Sequence, residues 1–298
     1  MNTPQKQAAK KRQPIPYRLL ILCQLAIVGL GACRKQPVAP IADKCAYPAV
    51  SPGPVHLLMG NPSAARAGTS QPGNYLMEKP RYALSYNRPK LHANWVAWHL
   101  AGGDLGPAAR QDDFRPDPAL PAGWLAARPP DYTGSGFDRG HLCPSADRTA
   151  TDTDNSSTFL MTNILPQSPD LNRNTWESLE SHCRQLVRAG SELYIYAGGF
   201  GSTGTGSLGT AQTVKGRINV PAACWKVVLV LPEGQDDVKR VRGVAPAIAV
   251  WMENRQGLDN GWRAYITTVD EVEKRTGYDF LNSLPVCVQD SIEAVTYR

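Results

Sequence analysis

No two of the seven cysteines in this 298-residue chain form a Cys-x-x-Cys pair, and no cysteine-histidine knuckle is present. A structural zinc site of the usual kind is thereby excluded. Charge is also sparse, with 19% Asp, Glu, Lys and Arg and a formal net charge of only +6. No apolar run reaches the roughly 20 residues that a transmembrane helix needs. Nor is there a fixed-period repeat of the kind that marks solenoids or propellers. What remains is 42% hydrophobic residues, enough for an ordinary packed core, and one globular domain is the simplest organisation.

The first 32 residues differ from the rest. Lys6, Lys10, Lys11, Arg12 and Arg18 precede an apolar stretch from Leu19 to Leu30, the pattern of a signal peptide. The stretch closes on Leu30-Gly31-Ala32-Cys33, which resembles a bacterial lipobox and implies that Cys33 becomes residue one of the mature chain and carries lipid. An ordinary secretory signal that ends near a cysteine is the alternative. Arg34 does not resemble an inner-membrane retention residue, so an extracytoplasmic membrane face, outer membrane or periplasmic, is expected. Removing the five basic residues lowers the formal net charge from +6 to +1. An anionic substrate must then be held by local arginines and a metal, since the surface as a whole is hardly basic. Cys45, Cys143, Cys183, Cys224 and Cys287 would face an oxidising compartment, where an odd number cannot all pair internally. A Cys224–Cys287 pair is the one expected here.

From Arg34 to about residue 73 the chain is rich in Pro, Ala, Gly and Ser, as a tether would be, and the folded unit is expected from Asn74 to Arg298. Alternation with β-branched and aromatic residues predicts strands at Tyr82–Asn87, Trp95–Leu100, Phe159–Ile164, Leu193–Ala197, Trp225–Leu231 and Ala247–Trp251. A helix is predicted from Ser168-Pro169 toward Gly190, and a second over Val269–Thr276. The fold class is therefore α+β, a mixed domain with a central antiparallel sheet. The run Gly204-Thr205-Gly206-Ser207-Leu208-Gly209 spells a dinucleotide motif, but no helix pattern follows to hold a pyrophosphate, and it reads as a loop between strands.

Chemistry concentrates between Arg110 and Arg184. Water is a weak nucleophile at neutral pH, and a metal-free histidine with a reference pKa of about 6.5 can take its proton. His141, in Asp138-Arg139-Gly140-His141, can do so. A phosphorane gains negative charge, which a hard divalent cation and a guanidinium can stabilise. Asn172 and Arg110 are candidates to supply them. Asn172 and Glu180 stand eight positions apart on the predicted helix, an offset of about 80°, so both can face one cleft. Each residue alone also has a structural explanation: a core histidine, a helix-start asparagine, a surface Glu180–Arg184 pair.

Taken together, Asp138-Arg139-Gly140-His141, Thr162-Asn163-Ile164-Leu165-Pro166-Gln167 and Leu171-Asn172 through Glu180 resemble the DNA/RNA non-specific endonucleases, a ββα-metal or His-Me finger family. The likeness is nearest to the secreted cyanobacterial-type, sugar-non-specific nucleases. It implies a ββα-metal finger with His141 as general base, Asn172 as metal ligand, Glu180 as the group that orients water at the metal, and Arg110 as phosphorane stabiliser. Asn163 would support the histidine region, while Arg139 and Arg184 would face substrate phosphates. One divalent cation, Mg²⁺ or Mn²⁺, is implied as cofactor, DNA and RNA as partners, with 5′-phosphate products and room for a protein inhibitor. Cys143 departs from the pattern, yet a thiol nucleophile is redundant where a histidine activates water. The alternative functions are a lipid-anchored nucleic-acid-binding protein of this fold without turnover and a structural envelope lipoprotein.

Overall fold

Alternation along one strand fixes the layering. In β3 (His92–Leu100), Val96, Trp98 and Leu100 point into one buried cluster while Trp95 and Ala97 enter another. A strand apolar on both faces must be covered on both. A computed structural model describes residues 45–47, 53–243 and 245–298. The basic leader, Cys33 and most of the stretch up to residue 52 lie outside the described residues.

The preceding strands are β1 (Tyr75–Glu78) and β2 (Ala83–Asn87); α1 (Pro129–Tyr132), β4 (Asp138–His141), α2 (Asp152–Ser157) and β5 (Ile164–Gln167) follow β3. After α3 (Glu177–Arg188) and β6 (Ser191–Phe200), two hairpins form from β7 (Gly204–Gly206) with β8 (Gly209–Ala211), and β9 (Thr213–Val214) with β10 (Ile218–Asn219). Then come β11 (Ala223–Pro232), α4 (Asp237–Arg240), β12 (Ala247–Glu253), β13 (Ile266–Thr267), α5 (Val269–Thr276) and α6 (Val286–Glu293). The main sheet is antiparallel throughout, in the order β1-β2-β3-β6-β11-β12-β13. The fold is the α+β class expected. One face packs on Leu171, Trp176, Leu179 and Val187 of the long helix, the other on Val269 and Val272 of α5 and Val288 and Ile292 of α6.

The helix expected after Pro169 runs to Arg188, and Gly190 follows with φ +92°, a conformation that favours glycine. Val269–Thr276 is helical as expected, with Thr268 accepting from Glu271 N and Gly277 left-handed at its end. Three expectations fail. The Phe159–Ile164 strand begins only at Ile164, because Met161–Asn163 form a tight 3₁₀ turn. Phe159 and Met161 alternate with polar residues because a turn has been buried, which mimics strand periodicity. The tether ends earlier than residue 73: Val55–Leu57 form a helical turn, Met59 and Ala65 join the core with Trp95, and Tyr196 Oη donates to Gly60 O. Composition missed this segment because tertiary hydrogen bonds, rather than periodicity, hold it. The disulfide joins Cys45 to Cys287, while Cys143, Cys183 and Cys224 are buried thiols. Cys224 lies on the sheet face away from Cys287, so the two cannot meet. The glycine run proves to be the β7–β8 hairpin.

Candidate active site

β4 and β5 pair antiparallel with His141 opposite Ile164, and the chain passes from β5 through Ser168 into the long helix. Asn163 ties this finger together without facing the cleft. Its Oδ1 accepts from Cys143 N (2.9 Å) and its Nδ2 donates to Cys143 O and Thr158 O (both 2.8 Å). Gly140 is required by close approach: a Cβ there would stand 2.0 Å from Oε1 of buried Gln167. Gly140→Ala is expected to destabilise the protein by about 1–3 kcal/mol through overpacking, readable as a lower urea midpoint.

His141 is 9% exposed, and its Nε2 is buried with no hydrogen-bond partner. Phe159 packs edge-on at 4.9 Å between ring centroids, and Phe114 lies at 5.3 Å. Burial, reinforced by the positive charges of Arg110 and Arg139, pulls its pKa down to about 3. At neutral pH the imidazole is therefore uncharged, with a lone pair free to take a proton. Phe114→Ala is expected to relieve the burial and raise this pKa toward the ordinary 6.5, which an NMR titration of the ring proton measures; an unchanged pKa would mean that Phe114 does not seal the ring.

Beside the histidine lies a cleft of about 300 Å³ walled by Arg110, Phe114, Asp138, Arg139 and Asn172. Arg110 sits over Phe159 (4.8 Å) and donates to Ser145 Oγ (2.9 Å); Arg139 sits over Phe114 (4.2 Å) and forms no ion pair among the described residues. Two guanidiniums braced on rings flanking the imidazole suit an anionic ligand. Asn172 Nδ2 donates to Asp138 Oδ2 (2.9 Å), and Arg173 clamps the same carboxylate at 2.7 and 2.8 Å. This bond fixes the amide, leaving Asn172 Oδ1 without a hydrogen-bond partner among the described residues.

Leu171–Trp176 is a π segment leading into α3. Wider turns rotate the chain less per residue, so the offset of about 80° expected between Asn172 and Glu180 on a pure α-helix shrinks toward alignment. Glu180 is buried and accepts from Lys226 Nζ at 3.2 Å. Burial raises its pKa to about 6, while the Lys226 charge pulls the other way. Lys226, 1% exposed, lies over Trp176 at 4.2 Å. Arg184 is 7% exposed and pairs with Asp147 (3.0 Å) and Glu177 (3.3 Å). It belongs to this buried ion cluster rather than to the cleft wall.

Residues 60–286 match the model of the DNA/RNA non-specific endonucleases. The chain belongs to that family. A nuclease of Nostoc sp. (strain PCC 7120) is 50% identical over 268 residues, covering 90% of this chain and 93% of the relative. The nuclease of Serratia marcescens is 33% identical over 233 residues, covering 76% and 82%. The solved EndoG/EndoGI complex shares the fold, with TM-score 0.63 at 22% identity over 79% of this chain and 95% of that one. Membership makes this chain a nucleic acid hydrolase.

In this family member the structure gathers Arg110, Arg139, Asn172 and His141 around one cleft, places Glu180 one layer beneath, and leaves Asn163 and Arg184 as buried supports. Asp138, Asp147 and Lys226 are the functional residues that sequence reasoning missed. A lysine in the doubly apolar run Ala223–Pro232 was the available signal, since a buried ammonium needs a buried partner. Cys143 is fully buried and burial raises its thiol pKa, which removes it as a nucleophile.

Proposed function

We propose that the protein is an endonuclease that hydrolyses phosphodiester bonds of DNA and RNA with one divalent cation, Mg²⁺ or Mn²⁺, and a water deprotonated by His141, leaving 5′-phosphate ends. The observation that carries this reading is the neutral imidazole with an unpartnered Nε2 beside a cleft lined by two guanidiniums. Arg139 and Arg110 draw in the phosphate, and Arg110 follows the charge that develops on it. His141 takes the water proton as the water oxygen bonds to phosphorus and the bond to the departing 3′-oxygen breaks.

The fixed amide of Asn172 fits a hard cation: its free Oδ1 is an oxygen donor, and Glu180 adds negative charge one layer below. Bound there, such an ion supplies positive charge to the phosphate and the leaving oxygen. Glu180 accepts hydrogen bonds from water ordered beside Asn172. Contacts confined to phosphate leave the sugar and the base unread, which accounts for acceptance of both nucleic acids.

A panel of single- and double-stranded DNA and RNA, digested with Mg²⁺, Mn²⁺ or EDTA and analysed for product ends, tests the reading. Cleavage of both sugars that EDTA abolishes is expected; chelator-resistant cleavage, or 3′-phosphate ends, would overturn it. We further infer export and lipid anchoring at Cys33, a reading supported by the Cys45–Cys287 disulfide, since such bonds persist in oxidising compartments. Fatty-acid labelling that Cys33→Ser abolishes is the expected outcome.

A further inference from the structure

Where α5 meets α6, Asp270, Glu273 and Glu293 bring one carboxylate oxygen each within 4.8 Å of one another. Glu293, the last residue of α6, is 5% exposed, and its Oε1 has no hydrogen-bond partner. Glu273 Oε1 accepts only from Phe280 N (2.6 Å). None of the three forms an ion pair among the described residues, and the basic residues of α5, Lys274 and Arg275, are engaged by Glu271. Burial and then the surrounding carboxylates, Asp279 among them, push Glu273 up to about 7 and Glu293 up to about 8. A buried carboxylate oxygen without a donor carries its full desolvation cost, and a cluster of like charges adds to it.

A cation relieves both costs at once. We propose that Asp270, Glu273 and Glu293 form a binding site for a hard divalent cation, calcium by its ligand chemistry, that fastens the end of α6 to α5. Calcium accepts irregular sets of carboxylate oxygens completed by water, whereas magnesium demands near-octahedral geometry. The site is distinct from the nuclease centre, because α5 and α6 cover the opposite face of the sheet from the finger. α6 would then be held at both ends, since Cys287 in its first turn carries the disulfide to Cys45. An affinity in the range of about 10⁻⁴–10⁻³ M suits a site this exposed at Asp270.

Thermal unfolding of the full chain after EDTA treatment, with and without about 10 mM CaCl₂, tests the proposal. Calcium is expected to raise the midpoint of the wild type by about 2–4 °C, and more at pH 8.5 than at pH 6 as Glu273 and Glu293 ionise. Asn172→Ala, which alters the nuclease centre, should keep the rise. Glu293→Gln and Glu273→Gln should each lose most of it, the second serving if the first does not fold. No rise in the wild type, an equal rise in both Gln variants, or a rise abolished by Asn172→Ala would overturn the proposal.

Discussion

Replacing His141 with Ala is expected to lower the cleavage rate on the order of 10²–10⁴-fold while leaving the fold and the affinity for nucleic acid nearly unchanged. The imidazole Nε2 makes no hydrogen bond, so its removal strands no partner in the protein. The packing loss is confined to the contacts with Phe114 and Phe159. Arg110 and Arg139, which hold phosphate in this account, keep their ring contacts on Phe159 and Phe114. The loss should therefore fall on kcat rather than KM. Circular dichroism at equal concentrations separates a catalytic loss from unfolding, and a mutant active at the wild-type rate would remove His141 from the mechanism.

Lys226→Met should weaken both stability and activity. Methionine keeps much of the volume beside Trp98 and Trp176 but leaves Glu180 buried without its cation. Removing one partner of a buried pair costs on the order of 3–5 kcal/mol unless the survivor protonates. Glu180 already sits at about 6 with Lys226 in place, and Lys226 lowers that value. Losing the ammonium therefore raises it further, and the carboxyl becomes neutral near pH 7.

The sign of the pH effect follows. Because His141, at about 3, is neutral over the working range, the acid limb of the wild-type pH-rate profile should reflect Glu180 and fall below about pH 6. In Lys226→Met the limb should move to higher pH, with the urea midpoint lowered as well. A limb that stays in place while stability falls would reduce Lys226 to a packing role.

How far these features were legible in the sequence depended on whether local pattern or tertiary contact fixes them. Strands such as Trp225–Leu231 and Ala247–Trp251 announce themselves because both faces are buried and alternation or continuous apolarity follows directly. The long helix is marked by Pro169 at its start and Gly190 after its end. Its π segment was not legible, since one wider turn depends on how Asn172 and Trp176 pack rather than on their propensities. Phe159–Asn163 deceived because burying a turn produces the same alternation as a strand. The Cys45–Cys287 bond spans 242 residues, a separation that spacing rules cannot resolve.

In the site, His141, Asn172, Arg110 and Arg139 stand in motifs that can be read along the chain, and the structure assembles them at one cleft and its floor. Arg184 was readable as a member of the same helix, but its direction was not. Asp147, a residue of the segment between the finger's strands, decides it by pairing at 3.0 Å and drawing the guanidinium inward.

Single-turnover cleavage of supercoiled plasmid by wild type and His141→Ala in Mg²⁺, with and without added imidazole, tests the central claim most directly. The account predicts a loss of about 10²–10⁴-fold in the mutant, partial recovery when imidazole supplies the missing base, and no cleavage by either protein in EDTA. Mutant cleavage at the wild-type rate, or cleavage that survives the chelator, would contradict it.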